Sequence, residues 1–417
     1  MLYDVIVCGA GPSGSTAAKY LAEEGHNVLL LDKSKFPRDK PCGGGLGERI
    51  TEFNYIREKI ENSSDFLESI CMRGKIVSPS MQHTIDYSSE APLFYNIRRE
   101  KFDYELVKFA IDAGAEFLEN SKVKEVFTTQ EKAVVRLASG KELSCKVIVG
   151  AGGTYDVAAK YIRKKEGLEE KWKRNLGTVV VEEFEVGEEF IDKVYGKERT
   201  AIINLKHANL NGYAWVFPKH NVLNIGYGGF DNEMKQIDIK QEFKNYLDFL
   251  KKIGYLPEEV ESKKLKGASL PLRGNMKKTY TNRIVVVGDA AGFVSPLTGE
   301  GIYYAMDSGR IASKVISKAF EKGDFSAQSL KLYQNIWMKR WGKDLKALEF
   351  FQRFLMSWPE KFVKYGSNDE KLKKIFVGLF IGSVGASKVK WKVISRIFMD
   401  FLTYDIFKIR FSKDVLF

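Results

Sequence analysis

Three glycines near the start of the chain have a spacing that backbone chemistry can use: Gly9, Gly11 and Gly14, in the run Gly9-Ala10-Gly11-Pro12-Ser13-Gly14. The first suits a tight turn, the second lets an anion approach the main chain, and the third lets the next helix pack closely on the strand before it. The free N–H groups and positive dipole end of that helix favour phosphate. Asp32 follows 21 residues after Gly11. A carboxylate there accepts hydrogen bonds from ribose hydroxyls and repels a 2′-phosphate. The chemistry indicated is the binding of a dinucleotide with an unphosphorylated adenosine ribose, FAD or NAD. A second element far downstream selects FAD. It reads Gly288-Asp289-Ala290-Ala291-Gly292, then Pro296-Leu297-Thr298-Gly299-Glu300-Gly301-Ile302. Asp289 suits the sugar-like chain of a flavin. The glycine-rich run through Gly301 and Ile302 offers backbone N–H groups to pyrophosphate and to the edge of the isoalloxazine ring.

Two more clusters bear on reactivity. Cys42 follows Lys40-Pro41 and precedes Gly43-Gly44-Gly45, which makes this stretch a loop. A small thiol among glycines allows a flavin ring to come close, with the N–H groups of Gly43 and Gly45 meeting ring oxygens. In an apolar setting a thiol stays protonated and serves as a proton source. The alternative is a small residue that only shapes the loop. Tyr213, Trp215 and Phe217 alternate along Tyr213-Ala214-Trp215-Val216-Phe217-Pro218, so on a strand they share one face. They form either the wall of an apolar tunnel or a sheet face packed on a helix.

The elements that must hold these residues are legible from apolar patterning. Residues 3–8 read as a strand, 15–24 as a helix closed by Gly25, and 28–31 as a second strand ending at Asp32, which together make a βαβ unit. Residues 283–287 and 146–149 read as buried strands, and a helix runs through Ala305, Ser308 and Ala312. Residues 178–184, 200–205 and 224–229 read as strands, with an excursion helix near 237–252. The expected class is mixed α/β with interleaved units. Residues 1–72, 97–165 and 268–330 build a Rossmann-like dinucleotide-binding domain. Residues 73–96 and 166–267 build an antiparallel sheet covering the flavin. Residues 331–417 form a helical region in which Trp337, Trp341, Leu345 and Leu348 recur at spacings of four and three.

Composition narrows the options. With 417 residues, 44% hydrophobic and 29% charged, the chain is ordinary globular material long enough for two or three domains. Four cysteines (Cys8, Cys42, Cys71, Cys145) without CxxC spacing argue against a disulfide framework and structural zinc. The histidines (His26, His83, His207, His220) show no triad or metal spacing, and His26 is expected to be a solvated loop residue. The first strand starts at once, with no room for a signal peptide, so a cytoplasmic location is expected. Net charge is +12, of which residues 331–417 carry +10 (18 Lys/Arg against 8 Asp/Glu), with 18 of the 53 aromatics. Basic and aromatic together suit an anionic membrane surface or an apolar anionic ligand. Nucleic acid is the rival, but no nucleic-acid motif accompanies the patch. The longest uncharged run there, 375–387, is 13 residues. It can lie on a membrane but not cross one.

The motifs resemble those of the flavoprotein superfamily of aromatic hydroxylases and, within it, the geranylgeranyl reductases, which reduce isolated double bonds of prenyl chains. The glycine run with Asp32, the Arg99-Glu100-Lys101-Phe102-Asp103 segment and the Gly-Asp element are similar to features of the whole superfamily. Pro41-Cys42-Gly43-Gly44-Gly45 and the Tyr-x-Trp-x-Phe-Pro run at 213–218 are similar to the reductases in particular. The resemblance implies FAD as cofactor. It also implies Arg99 near the pyrophosphate or ribityl chain, adenine against the Val123 backbone, and a prenyl lipid or prenyl diphosphate along Tyr213, Trp215 and Phe217. It further implies an external donor: NAD(P)H, ferredoxin or a deazaflavin. Hydride goes to the more substituted alkene carbon and a proton to its neighbour, while aromatic faces stabilise developing cationic character. One departure stands out: where the superfamily ends a strand in Ala-Asp-Gly, this chain has Gly150-Ala151-Gly152-Gly153 and no acid. The alternatives are a monooxygenase or halogenase of the same fold, and a non-enzymatic prenyl-binding escort.

Overall fold

The computed structural model describes residues 2–406. The apolar residues near the N-terminus form β1, Leu2–Cys8, the helix α1, Pro12–Glu23, and β2, Val28–Leu31. Proline at the first helical position costs nothing, because the N–H it lacks has no partner there. β1 lies at the centre of five parallel strands. On one side it pairs with β2, which pairs with Glu116–Leu118; on the other it pairs with Glu142–Gly150, which pairs with Ile284–Val286. Helices cover both faces, so these strands read as continuous apolar runs. Val123–Thr128, Ala133–Leu137 and Tyr280–Thr281 extend the sheet antiparallel to eight strands.

A second sheet of seven strands runs in the order Lys266–Pro271, Leu176–Glu185, Val222–Phe230, Tyr213–Pro218, Ala201–Leu205, Arg73–Val77 and Thr84–Ser88. The sequence expects this sheet to be antiparallel. One pair departs: Ala201–Leu205 runs parallel to Arg73–Val77, a strand that arrives from far earlier in the chain and not through a hairpin. The helix Ile239–Lys252 packs on the outer face in a core of its own. It starts two residues later than its apolar pattern suggests, because Asp238 caps it by accepting from the N–H groups of Lys240 and Gln241. A small sheet of Leu67–Cys71, Phe94–Ile97 and β3, Gly45–Gly47, carries the Cys42 loop.

The long helix Ile302–Lys322 leads to a bundle of helices that runs through Ala386–Asp400 into the wider helical turn Phe401–Ile406. Of the stretch expected to be helical, 407–417 lies outside the described residues. Trp337, Trp341, Leu345 and Leu348 are all buried, and the two indoles stack on each other and flank Phe293 of the Gly-Asp loop at 4.8 and 4.7 Å. His26 is not the solvated loop residue the sequence suggests. Its ring bonds Ser317 Oγ at 2.9 Å and lies 4.5 Å from Phe320, and burial lowers its pKa.

Candidate active site

At the mouth of the first βαβ unit, two glycines are needed for packing and one for access. A Cβ on Gly14 would lie 1.8 Å from the Gly9 carbonyl oxygen, and one on Gly9, whose φ is +118°, would lie 2.4 Å from the Ala151 oxygen. At Gly11 a Cβ would meet only Arg38 Nη2, at 3.7 Å. The position is therefore an open cradle between the α1 N-terminus and a guanidinium, with no acidic residue in the first helical turn. That donor set suits a diphosphate. Asp32 is buried and accepts from the N–H groups of Ala10 and Ser34, both at 2.8 Å, which leaves lone pairs for hydroxyl donors. The Ser121 N–H bonds the Asp32 carbonyl at 2.7 Å, which brings the start of Val123–Thr128 close to this end.

The second element converges on the first. Gly288 has φ +59°, and a Cβ on it would lie 2.7 Å from Ser13 Oγ; one on Gly309 would lie 2.4 Å from the Ser13 carbonyl oxygen. The Ser308 hydroxyl accepts from the Gly288 N–H at 2.9 Å and donates to the Ala305 carbonyl. Asp289 lies between Lys40, 3.7 Å away, and Gly301, where a Cβ would approach its carboxylate to 3.2 Å. Gly301 caps the long helix with no side-chain partner, so the first N–H groups, from Ile302 on, are free to bind. These features fit FAD: a diphosphate at Gly11, a ribose at Asp32, a polyol at Asp289 and a ring edge at Gly301 and Ile302.

The acid missing from the strand end returns four residues later. Asp156 accepts from the Gly152 N–H at 2.9 Å and caps the helix Val157–Lys165 through the Ala159 N–H. Its carboxylate occupies the space where side chains on Gly150 and Gly152 would stand. Burial raises its pKa despite these N–H bonds.

Tyr213, Trp215 and Phe217 line up along one face of their strand, with ring centroids 5.9 and 6.2 Å apart. Phe94 extends the row 5.1 Å beyond Phe217. The glycines of Val222–Phe230 make the row possible, since a Cβ on Gly226 would collide with the Trp215 indole at 2.4 Å. Trp215 Nε1 donates to Asn224 Oδ1 at 2.8 Å, and the Asn224 amide donates to the Cys42 carbonyl at 3.0 Å, so one side chain ties wall to loop. The Cys42 loop lies on the wall: a Cβ on Gly43 would stand 2.9 Å from Phe217 and 3.5 Å from Trp215. Gly44, with φ +76°, sits against the Ile97 carbonyl, and its N–H bonds the Cys42 sulfur at 3.4 Å. The Tyr213 hydroxyl donates to the Thr298 carbonyl, which joins the wall to the Gly301 loop.

Arg99, Asp103, Lys219 and Glu183 are ionic groups near the wall that are paired. Arg99 and Asp103 are buried and make two parallel hydrogen bonds of 2.8 Å, with Arg38 3.1 Å from the same carboxylate. Burial pushes Asp103 up, but Arg99 and then Arg38 bring it below the ordinary carboxylate range. Arg99 thus spends two N–H groups on Asp103, and its guanidinium also acts on Cys42, so the thiol has a cation near it and not only apolar neighbours. Lys219 is paired with Glu183 and donates to the Ile97 carbonyl at 2.9 Å. Burial raises the Tyr213 phenol. Arg38, Phe94, Asp156 and Asn224 were not found from sequence. Only Asn224, beside the aromatic run, carried a signal: a polar residue in an otherwise apolar and glycine-rich strand. Among the described residues no His/Cys/Asp/Glu group could hold a metal.

Comparison with known proteins gives the family and the cofactor. The family model for the FAD binding domain matches residues 2–336. The chain is 33% identical to the digeranylgeranylglycerophospholipid reductase of Methanocaldococcus jannaschii, over 81% of this chain and 83% of that one. It is 29% identical to the menaquinone reductase of Mycobacterium tuberculosis, over 84% and 85%. In structure it resembles a geranylgeranyl bacteriochlorophyll reductase-like protein of Thermoplasma acidophilum, with TM-score 0.77, 23% identity, and coverage of 93% and 98%.

Proposed function

The chain belongs to the geranylgeranyl reductase family of FAD-dependent oxidoreductases, and on that footing we propose that it saturates isolated double bonds of prenyl chains in isoprenoid lipid biosynthesis. The observation that carries this reading is the row of rings at Tyr213, Trp215 and Phe217 with the Cys42–Gly43–Gly44–Gly45 loop laid on it. Bound FAD supplies the electron pair and is recharged by an external donor: NAD(P)H, ferredoxin or a deazaflavin. The protein does the rest. The rings give a prenyl chain an apolar surface to lie along, and their faces favour positive charge as it develops on an alkene carbon. Gly43 and Gly45 keep the loop thin enough for the chain to come within reaching distance, and Arg99, Arg38 and Asp103 offset one another's charge. Cys42 accepts from the Gly44 N–H at the edge of this space, with the Arg99 guanidinium near it.

The test is anaerobic. Chemically reduced, FAD-loaded protein is mixed with a geranylgeranyl glycerophospholipid, and the lipid is examined by mass spectrometry. The expected result is a gain of two hydrogens per double bond reduced. Unchanged lipid together with oxygen-dependent turnover would support a monooxygenase or halogenase instead, and protein that cannot take up FAD would support an escort role.

The proposal extends to where the substrate is met. Among the described residues no helix is long and apolar enough to cross a membrane. On Ala386–Asp400, however, Trp391 is 76% exposed and Phe398 and Met399 are 58% exposed, with Lys388 and Lys392 exposed beside them. Aromatics with lysines favour an anionic lipid surface, each lysine contributing about 1 kcal/mol. Wild-type protein is expected to float with vesicles containing phosphatidylglycerol, and the Trp391→Ser/Phe398→Ser variant to stay in the soluble fraction. Equal flotation of both would remove this face from the account.

A further inference from the structure

Saturating a double bond consumes a proton as well as an electron pair, and the acids on the elements around the aromatic wall are not alike. Asp103 has Arg99 and Arg38 beside it, Asp289 has Lys40, and Glu183 has Lys219. Glu300 differs: among the described residues no cation lies within ion-pair distance and no donor bonds its carboxylate, while its backbone is held at both ends, the N–H donating to Thr298 Oγ1 and the carbonyl accepting from the Ser295 N–H at 2.8 Å. It stands one residue before the helix cap Gly301. Its loop touches the wall at Tyr213, whose hydroxyl donates to the Thr298 carbonyl and would lie 3.7 Å from a Cβ on Gly299. The carboxylate rests over β3 and the 381–382 turn. One oxygen is 3.4 Å from where a Cβ on Gly47 would stand, and the other 3.4 Å from the same point on Gly382. Two glycines thus leave room for the carboxyl and offer it no hydrogen bond. The residue is half-buried, so solvent still reaches it.

We propose that Glu300 supplies the proton that the reduction consumes. The proposal rests on the reductase reading above and deepens it. As the alkene π bond breaks, two C–H bonds form. One hydrogen comes with the electron pair from reduced FAD, which is oxidised by two electrons. The other is the carboxyl proton of Glu300, whose O–H electron pair stays on the carboxylate. Solvent returns the proton, and the external donor returns the electrons.

The surroundings suit an acid that works near neutrality. Burial lifts the Glu300 carboxyl to about 7, against the opposing pull of Arg49. The protonated form is therefore present below about 7 and lost above it. The charged and titratable groups facing Glu300 are Arg49, whose guanidinium lies 3.9 Å from the Tyr303 ring centroid, and Tyr304, which Asp344 also influences from the helix Lys343–Ser357. Burial raises the Tyr304 phenol, and Glu300 raises it further.

The experiment compares wild type, Glu300→Gln and Glu300→Asp as FAD-loaded proteins, with flavin absorbance confirming equal loading. In anaerobic single turnovers with a geranylgeranyl lipid, the wild-type rate should fall about tenfold per pH unit above 7. Glu300→Gln should be about 100-fold slower and flat with pH, and Glu300→Asp should keep a titrating profile. A second readout needs no turnover: the wild-type minus Glu300→Gln infrared difference spectrum should carry a protonated-carboxyl band below pH 7 and lose it above. Product formation by Glu300→Gln at the wild-type rate and pH profile overturns the role of Glu300 alone. No saturated product from wild type overturns the reductase reading itself.

Discussion

Gly11→Leu should yield a protein that folds and melts as wild type does but purifies without yellow colour, whereas Gly14→Ala should lose both flavin and stability. The contrast follows from what each added side chain meets. At Gly14 the obstacle is the Gly9 carbonyl, 1.8 Å from the new Cβ. Rotamer changes cannot relieve a clash with backbone, so α1 must move off β1, at a cost of about 1–3 kcal/mol or more. That movement also carries the helix N-terminus away from the diphosphate position. At Gly11 the backbone is extended and ordinary (φ −74°, ψ −178°), and a Cβ has only Arg38 3.7 Å away. Leucine fits the free protein but fills the cradle. A flavin affinity at least 100-fold weaker is expected for both variants, about 2.7 kcal/mol. Flavin-to-protein absorbance ratios and thermal melts of the apoproteins check this. Gly25→Ala serves as the control: φ is +82° but nothing lies within 4 Å, so only local strain is added and flavin content should not change. A yellow Gly11→Leu protein would mean that the dinucleotide does not pass over that residue.

Which parts of this site could be read from the chain alone follows from distance along it. The glycine run, Asp32 and the β1–α1–β2 unit are local, and their spacing is dictated by one turn and one helix start, so their roles are visible in thirty residues. The aromatic row is local too, because alternation on a strand fixes a face. Other features depend on contacts between segments far apart in sequence. Arg38 gains meaning only when Asp103 folds against it. Phe94 joins the row because the small sheet places it beside Phe217. Asp156 could not be recognised as filling the gap at Gly152 until the turn at 153–155 was known to fold back. Glu300 reads as one more polar residue in a loop, and only the fold shows that its carboxyl rests over the glycines at 47 and 382 with no donor among the described residues. The chain reads well where backbone geometry sets the pattern, and poorly where one side chain completes another across a tertiary contact.

Asp307→Ala should be the most destabilising single change outside the glycine turn, costing about 3 kcal/mol and releasing the C-terminal helices from the body. Asp307 is fully buried on the long helix. One of its oxygens accepts from Arg310; the other accepts from Arg340 Nε at 2.7 Å and from the Trp341 indole at 2.8 Å. Both partners of the second oxygen lie in the wider helical turn Met338–Gly342, so a single carboxylate anchors that turn. Removing it leaves two guanidinium groups and an indole N–H without their acceptor. Breaking a buried pair in this way costs about 3–5 kcal/mol. The lower figure applies because Arg310 and Arg340 keep Glu52 and some solvent. Asp307→Asn retains an acceptor oxygen and should lose less. Because Trp337 and Trp341 pack against Phe293 in the Gly-Asp loop, loosening the turn should also weaken flavin binding. Limited proteolysis should then cut Asp307→Ala near 338–342 at concentrations that spare wild type, with added FAD giving partial protection. An unchanged digestion pattern and an unchanged urea midpoint would show that the C-terminal helices are held by their apolar faces alone, and that the carboxylate serves only its own helix.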